Sequence, residues 1–371
     1  VQTCALPILN EITDRFKKAG EGKDVLIIEI GGTVGDIEGQ PFLEAIRAMR
    51  IELGKKRSMN VHLTLVPFIK AAGELKTKPT QHSVGELRRI GITPDMIICR
   101  SERPLSKELK DKIAISCGVE KNCVIESPDC KSIYQIPIVF LQQDILTPIS
   151  ECLDLGELKV DMNEWNELVR RVNEPTNKVR IAFVGKYLEL KESYKSLTEA
   201  LIHSGANLDT KVDIKWCDSE RIDFENVDEI LKDVDGVLVA GGFGKRGIKG
   251  KMEAIKYART HKIPYLGICL GMQLALIEFA RDVLGIKEAN SVEFDENTKE
   301  PIIYLIDEFI DSHGKKQLRT HKSPLGGTMR LGGYEYNIKS NSLLSKIYNG
   351  VKTAKERHRH RFEANPKYKE K

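Results

Sequence analysis

The chain has 371 residues, room for two domains, and 41% of them are hydrophobic, enough to fill two cores. Lys+Arg total 58 against Asp+Glu 54, which gives no case for a nucleic-acid binder, and no run of about 18 apolar residues marks a membrane span. No basic start followed by an apolar stretch suggests a signal peptide, and the eight cysteines, none in a Cys-x-x-Cys pair, fit a reducing cytoplasm.

Residues 1–9 carry no usable periodicity, and 10–19 suit a short helix. Residues 24–30 are an almost continuous apolar run, the pattern of a buried parallel strand. A glycine-rich loop, 31–38, follows. A helix then starts near Pro41, with Phe42, Leu43, Ile46, Met49 and Leu53 on one face. Strand 61–66, a polar loop 76–81, a helix carrying Val84, Leu87 and Ile90, and strands 95–99 and 123–125 complete an α/β domain over 1–148. Residues 149–178 read as a linker holding a helix at 163–172. A second alternating series fills 179–371: strands 179–184, 212–216 and 236–239, helices 193–204, 224–232 and 251–261, and a strand ending at Cys269. The tail after Lys352 is polar and basic and closes on no expected strand or helix.

Cys269 carries the strongest chemical signal. Gly267-Ile-Cys-Leu-Gly271 is the thiol version of the nucleophile elbow. Glycines on both sides allow strand and helix to meet at a sharp turn. A thiol at a helix N-terminus gains thiolate character from the macrodipole, which suits attack on an amide carbon. The glycine loop Ala240-Gly-Gly-Phe-Gly244 follows the preceding strand, so the parallel sheet brings it to the same edge. It serves either as an oxyanion hole or as a plain turn. His358 and His360 lie in an arginine run that either holds an anion or is solvated.

In the first domain, Glu29 sits near the end of the apolar run and Asp36 and Glu38 lie just beyond. Such carboxylates are Mg²⁺ ligands or turn caps. Lys76 and Lys78 sit on one loop, a triphosphate clamp or a solvated surface. A Gly-x-x-x-x-Gly-Lys phosphate loop does not occur. Cys117, Cys123 and Cys130 match no zinc spacing.

Five motifs occur together and in order: Glu29-Ile-Gly-Gly-Thr-Val-Gly-Asp-Ile-Glu38, Lys76-Thr-Lys-Pro-Thr-Gln-His-Ser83, Gly267-Ile-Cys-Leu-Gly-Met-Gln273, Gly326-Gly-Thr-Met-Arg-Leu-Gly332 and Arg357-His-Arg-His-Arg361. Together they resemble the CTP synthase family over about residues 10–365. The resemblance implies two doubly wound α/β domains, a synthetase (amidoligase) domain of P-loop type and a class I glutamine amidotransferase domain. It implies that Cys269 attacks L-glutamine and that ATP activates the uracil 4-oxygen of UTP. Ammonia passed through a tunnel then yields CTP. Carried over residue by residue, it gives Gly242 as oxyanion donor and Leu270, Gly271, Met272, Gln273, Glu293 and Arg359 as glutamine contacts. It gives Asp36, Ile37, Glu38, Lys76, Thr77, Lys78, Pro79, Thr80, Gln81 and Lys112 as UTP and CTP contacts, Asp129 and Cys130 at the ATP, and Glu29 on Mg²⁺. GTP is a candidate allosteric activator. The assembly implied is a homotetramer capable of stacking into filaments.

The chain departs from the family at both ends. The family's phosphate loop would precede it, and the His-Pro-Glu segment that completes the triad would follow Lys371. It therefore reads as an internal piece of a longer enzyme that makes no CTP alone, with residues 1–9 a junction. Two alternatives are an amidotransferase of another pathway and a non-catalytic nucleotide-binding assembly protein.

Overall fold

The strands Val61–Val66, Met96–Ser101 and Val124–Pro128 lie side by side in that order, all parallel, and form the centre of the first of two units. The chain, seen here in a computed structural model, is described over residues 2–186, 188–306, 308–310, 316–318 and 330–371. The units divide at Glu174 and Pro175.

In the first unit, alternation along each strand sends side chains to opposite faces of the sheet. Val66, Ile97, Cys99 and Val124 pack with Val84 of the helix Lys78–Arg89 and Ile113, Ala114 and Cys117 of the helix Lys107–Cys117. The latter helix is fixed at both ends. Ser106 Oγ accepts from the Leu109 N–H, and Gly118 closes it in the left-handed region. On the other face, Met96, Cys123 and Ile125 pack with Ile145. Val61, Leu63 and Leu65 of the outer strand stay 47%, 67% and 55% exposed.

Two expectations for this unit change. Of the stretch without usable period, residues 2–9 lie in a helix, Gln2–Gly20, which runs on through residues 10–19. The apolar run 24–30 is not a buried strand. Among the described residues it pairs with no strand, and Val25 and Ile27 are 57% and 90% exposed. Apolar composition encodes burial only where a partner surface exists, and in this run Ile30 alone packs against a buried cluster, that of Leu43, Leu87 and Ile92, among the described residues. The helix expected near Pro41 spans Gln40–Leu53, with Leu43, Ala45 and Met49 inward and Phe42 exposed. The linker stretch includes the helix Asn163–Asn173, and Trp165 Nε1 donates to the Tyr134 carbonyl at 2.8 Å.

The second unit is built on four parallel strands in the order Thr210–Asp218, Asn177–Gly185, Gly236–Val239, Tyr265–Gly267. Phe183 and Leu238 face one side, with Leu197 and Leu201 of the helix Lys195–Asn207. Ala182, Val184, Val237 and Val239 face the other, with the helices Ile248–Thr260 and Leu270–Asp282. Successive connections therefore cover both faces, as in a doubly wound sheet. The order reverses at Asn177–Gly185, so the loops after it and after Gly236–Val239 diverge and leave a crevice at their carboxyl ends.

The basic tail does contain strands. Thr353–His360 pairs antiparallel with Arg330–Asn337, and Phe362–Ala364 joins Glu300–Leu305. Alternation in this ribbon exposes one row of charged side chains, so a hydrophilic run still supplies backbone hydrogen bonds. Of the motif 326–332, residues 326–329 lie outside the described residues. Among the described residues no helix is long and apolar enough to cross a membrane.

Candidate functional site

The turn from Tyr265–Gly267 into Leu270–Asp282 fits only because of its glycines. A Cβ on Gly267 would lie 2.6 Å from the backbone of Gly271 and Met272, and one on Gly271 would lie 2.2 Å from the Val239 carbonyl. Between them Cys269 adopts φ 54°, ψ −107°, a conformation that L-residues rarely enter. Hydrogen bonds hold it there. Ile268 N–H donates to Val239 O at 3.0 Å, Gly271 N–H to Ile268 O at 3.0 Å, and Tyr265 Oη to Gly271 O at 2.7 Å.

Across the crevice, the loop 240–244 presses on the same residue. A Cβ on Gly241 would meet Cys269 Cβ at 3.2 Å. The backbone N–H groups of Gly242 and Leu270 lie near enough to the Cys269 sulfur to favour its ionised form. Two converging N–H groups at a half-buried cysteine are the donors an oxyanion needs when a carbonyl carbon is attacked there. The Glu293 carboxylate accepts from Gly244 N–H at 2.9 Å and so ties down the far end of the loop.

Helix-terminus activation of the thiol, expected from sequence, is outweighed. Burial pushes the Cys269 thiol up from 9.0, and Glu293 adds to this; the two N–H groups and the Lys251 ammonium pull the other way. Desolvation of a charge exceeds the field of one helix end.

Sequence reading missed two lysines here. Lys186 and Lys251 are 4% and 0% exposed. Lys186 Nζ donates to the Phe243 carbonyl at 2.5 Å, and Lys251 Nζ to Ala240 O at 2.8 Å. Burial lowers both, Lys251 to about 8. A signal for Lys251 did exist. It falls in phase with Ile248, Ile255 and Ala258, on the apolar stripe of its helix.

Other expected glutamine contacts are dispersed. Leu270 and Gly271 are buried in the elbow, and Met272 is 39% exposed. Gln273 is buried, and its Nε2 donates to the Phe362 carbonyl at 2.9 Å, so its side chain fastens a strand to the elbow helix. Arg359 is exposed on the ribbon, opposite Leu331. His358 and His360 stand ring to ring at 5.3 Å. A cleft of about 750 Å³ opens at the same sheet edge, lined by Trp216, Asp218, Glu220, Arg221 and Arg246 and not by Cys269.

In the first unit, the carboxyl ends of the three strands gather a second group. Lys76 pairs with Glu74, and Lys112, exposed on its helix, adds to the field that lowers the Glu74 carboxyl. The loop expected over 76–81 is shorter than that. The helix begins at Lys78, because Pro79 suits a first turn, and so contains Thr80 and Gln81. Lys78 and Pro79 are exposed there. Thr77 and Thr80 face inward: Thr77 Oγ1 accepts from Gln81 Nε2 at 3.1 Å, and Thr80 Oγ1 bonds Thr64 Oγ1 at 3.1 Å. Arg103 lies over the Phe68 ring at 3.8 Å. Asp129 pairs with Arg100 at 3.5 Å, and the Cys130 thiol donates to Pro128 O. Asp36 Oδ2 accepts from Thr33 N–H at 2.9 Å, a turn contact; Ile37 and Glu38 are exposed. Glu29 is exposed, and among the described residues no group of three or more His, Cys, Asp and Glu is placed to hold a metal ion.

Comparison with known proteins agrees with both halves. The family model described as CTP synthase N-terminus matches residues 1–155, and that of class-I glutamine amidotransferase matches 189–371. CTP synthase of Campylobacter jejuni subsp. jejuni serotype O:23/36 (strain 81-176) is 71% identical over 362 residues, 98% of this chain and 67% of that protein. CTP synthase of Wolinella succinogenes is 64% identical over 363 residues, covering 98% and 66%. The solved glutaminase domain of Trypanosoma brucei CTPS with bound acivicin shares 40% identity over 52% of this chain and 70% of that one, with a TM-score of 0.46. Matched along both units, the chain belongs to the CTP synthase family, the enzymes of glutamine-dependent CTP synthesis.

Proposed function

We propose that Cys269 is the nucleophile that opens the side-chain amide of glutamine, and that the first unit holds the UTP this ammonia aminates. The observation that carries the reading is the convergence of the Gly242 and Leu270 N–H groups on one strained, half-buried cysteine. The thiolate adds to the carboxamide carbon, and the negative charge that develops on oxygen falls to those two donors. Collapse, with the proton given up by the thiol passing to the departing nitrogen, expels ammonia and leaves a thioester, which water hydrolyses to glutamate. On the synthetase side ATP phosphorylates the 4-oxygen of UTP, and ammonia displaces the phosphate.

Lys76, Lys78 and Lys112 supply positive charge at one sheet edge, suited to the triphosphate of UTP. Thr77 and Thr80 act there by shaping the helix start, since their hydroxyls are engaged internally. Glu29 is a single carboxylate and fits Mg²⁺ only together with nucleotide phosphates and waters, a common arrangement for that ion. The same reading takes GTP as activator, a tetramer as the assembly and a reducing cytoplasm as the location.

A glutamine-mimicking electrophile tests the thiol. It should label Cys269 far faster than Cys217, whose thiol burial pushes up to about 11. Equal rates would refute the assignment. UTP should protect the segment around Lys76 from proteolysis, and cleavage that UTP leaves unchanged would remove the nucleotide reading of that edge.

A further inference from the structure

Lys251 stands where elementary electrostatics disfavours a cation. It is fully buried, it lies in the first turn of the helix Ile248–Thr260, where the peptide dipoles already place positive charge, and Lys186 repels it. Two neighbours compensate. The Ala240 carbonyl accepts from Nζ at 2.8 Å, and Lys251 and Cys269 each favour the charged form of the other. Gly242 stands between them. A Cβ there would come within 3.8 Å of Lys251 Nζ, while its own N–H faces the sulfur.

We infer that Lys251 is a positioning residue for the thiol: its ammonium, held on Ala240 behind the glycine loop, fixes the Gly242 N–H beside Cys269 and supplies the positive charge that stabilises the sulfur as thiolate. The inference rests on Cys269 being the nucleophile. Glu293 faces the same sulfur and opposes its ionisation, so Lys251 offsets an existing negative field. Lys186 faces Lys251, and is itself repelled by Arg246 and favoured by Glu220 and Glu293. Neutralising Lys251 leaves the Gly242 and Leu270 N–H groups alone to offset Glu293 and burial at the sulfur.

The test is the rate of Cys269 alkylation by iodoacetamide, a small neutral reagent, against pH. It is read by mass spectrometry on the full chain, on Lys251→Met and on Lys251→Arg. In Lys251→Met the midpoint should rise by about one pH unit, with roughly tenfold slower labelling near neutrality, the order a unit charge several ångströms away exerts inside protein. Lys251→Arg should recover most of the rate. Continued slow labelling of Cys217 reports that each variant is folded. In the unsubstituted chain the profile should depart from a single ionisation, because Lys251 loses its own proton near pH 8; this readout needs no variant to fold. An unchanged midpoint in folded Lys251→Met, or a single-step profile in the unsubstituted chain, overturns the inference. Loss of labelling by the glutamine mimic with the iodoacetamide shift retained would instead refute glutamine as the substrate and leave the role of Lys251 standing.

Discussion

At the scale of single residues, the elbow shows how little room the chemistry leaves. Gly271→Ala would force a Cβ against the Val239 carbonyl, a backbone atom that cannot swing aside. We expect a loss of about 3 kcal/mol in urea unfolding, at the upper end for overpacking, with Cys269 labelling lost even where the variant folds. His62 is a second residue with a readable consequence. It is 9% exposed, its Nε2 lies 2.8 Å from Ser83 Oγ, and burial lowers its imidazole below 6.5. The folded state therefore sheds a proton that the unfolded chain keeps. Its share of stability is full above 6.5 and falls as pH drops through that value toward the folded pKa. His62→Gln should flatten this slope in urea midpoints taken above and below the imidazole range.

At the scale of elements, the elbow helix is braced from the side. Arg259 grips Glu278 with Nε at 2.9 and 3.0 Å and Nη2 at 2.7 Å, joining Ile248–Thr260 to Leu270–Asp282. Glu278 is buried, so Arg259→Ala strands a carboxylate. The cost should be about 2–3 kcal/mol, below that of a fully buried pair because the arginine is a third exposed. Hydrogen exchange in the Leu270–Asp282 helix should accelerate, while the first unit is unchanged. The elbow was legible in sequence because its logic is local: both glycines, the cysteine and the apolar strand lie within a few residues. What the sequence hid is non-local or main-chain. The Leu270 N–H acts through backbone that a residue name does not reveal. Lys251 reads as one surface lysine among many until its phase with Ile248 and Ile255 is noticed. The run 24–30 misled for the opposite reason, since its composition speaks for burial and its partners decide against it.

At the scale of the whole molecule, each unit carries its own sheet and apolar clusters. Calorimetry should resolve two unfolding transitions. A glutamine-mimicking label should raise one and UTP the other, by mass action on the folded unit that binds.

The outer strand Val61–Val66 has a further consequence. Among the described residues one edge of it pairs with no strand, and Val61, Leu63 and Leu65 form an oily row along it. Such an edge templates strand addition from a second copy, so the purified chain should grow turbid as concentration and salt rise. A single gatekeeper charge, Leu63→Lys, should raise the concentration at which turbidity begins, measured by light scattering, and leave the melting of the Cys269 unit where it was.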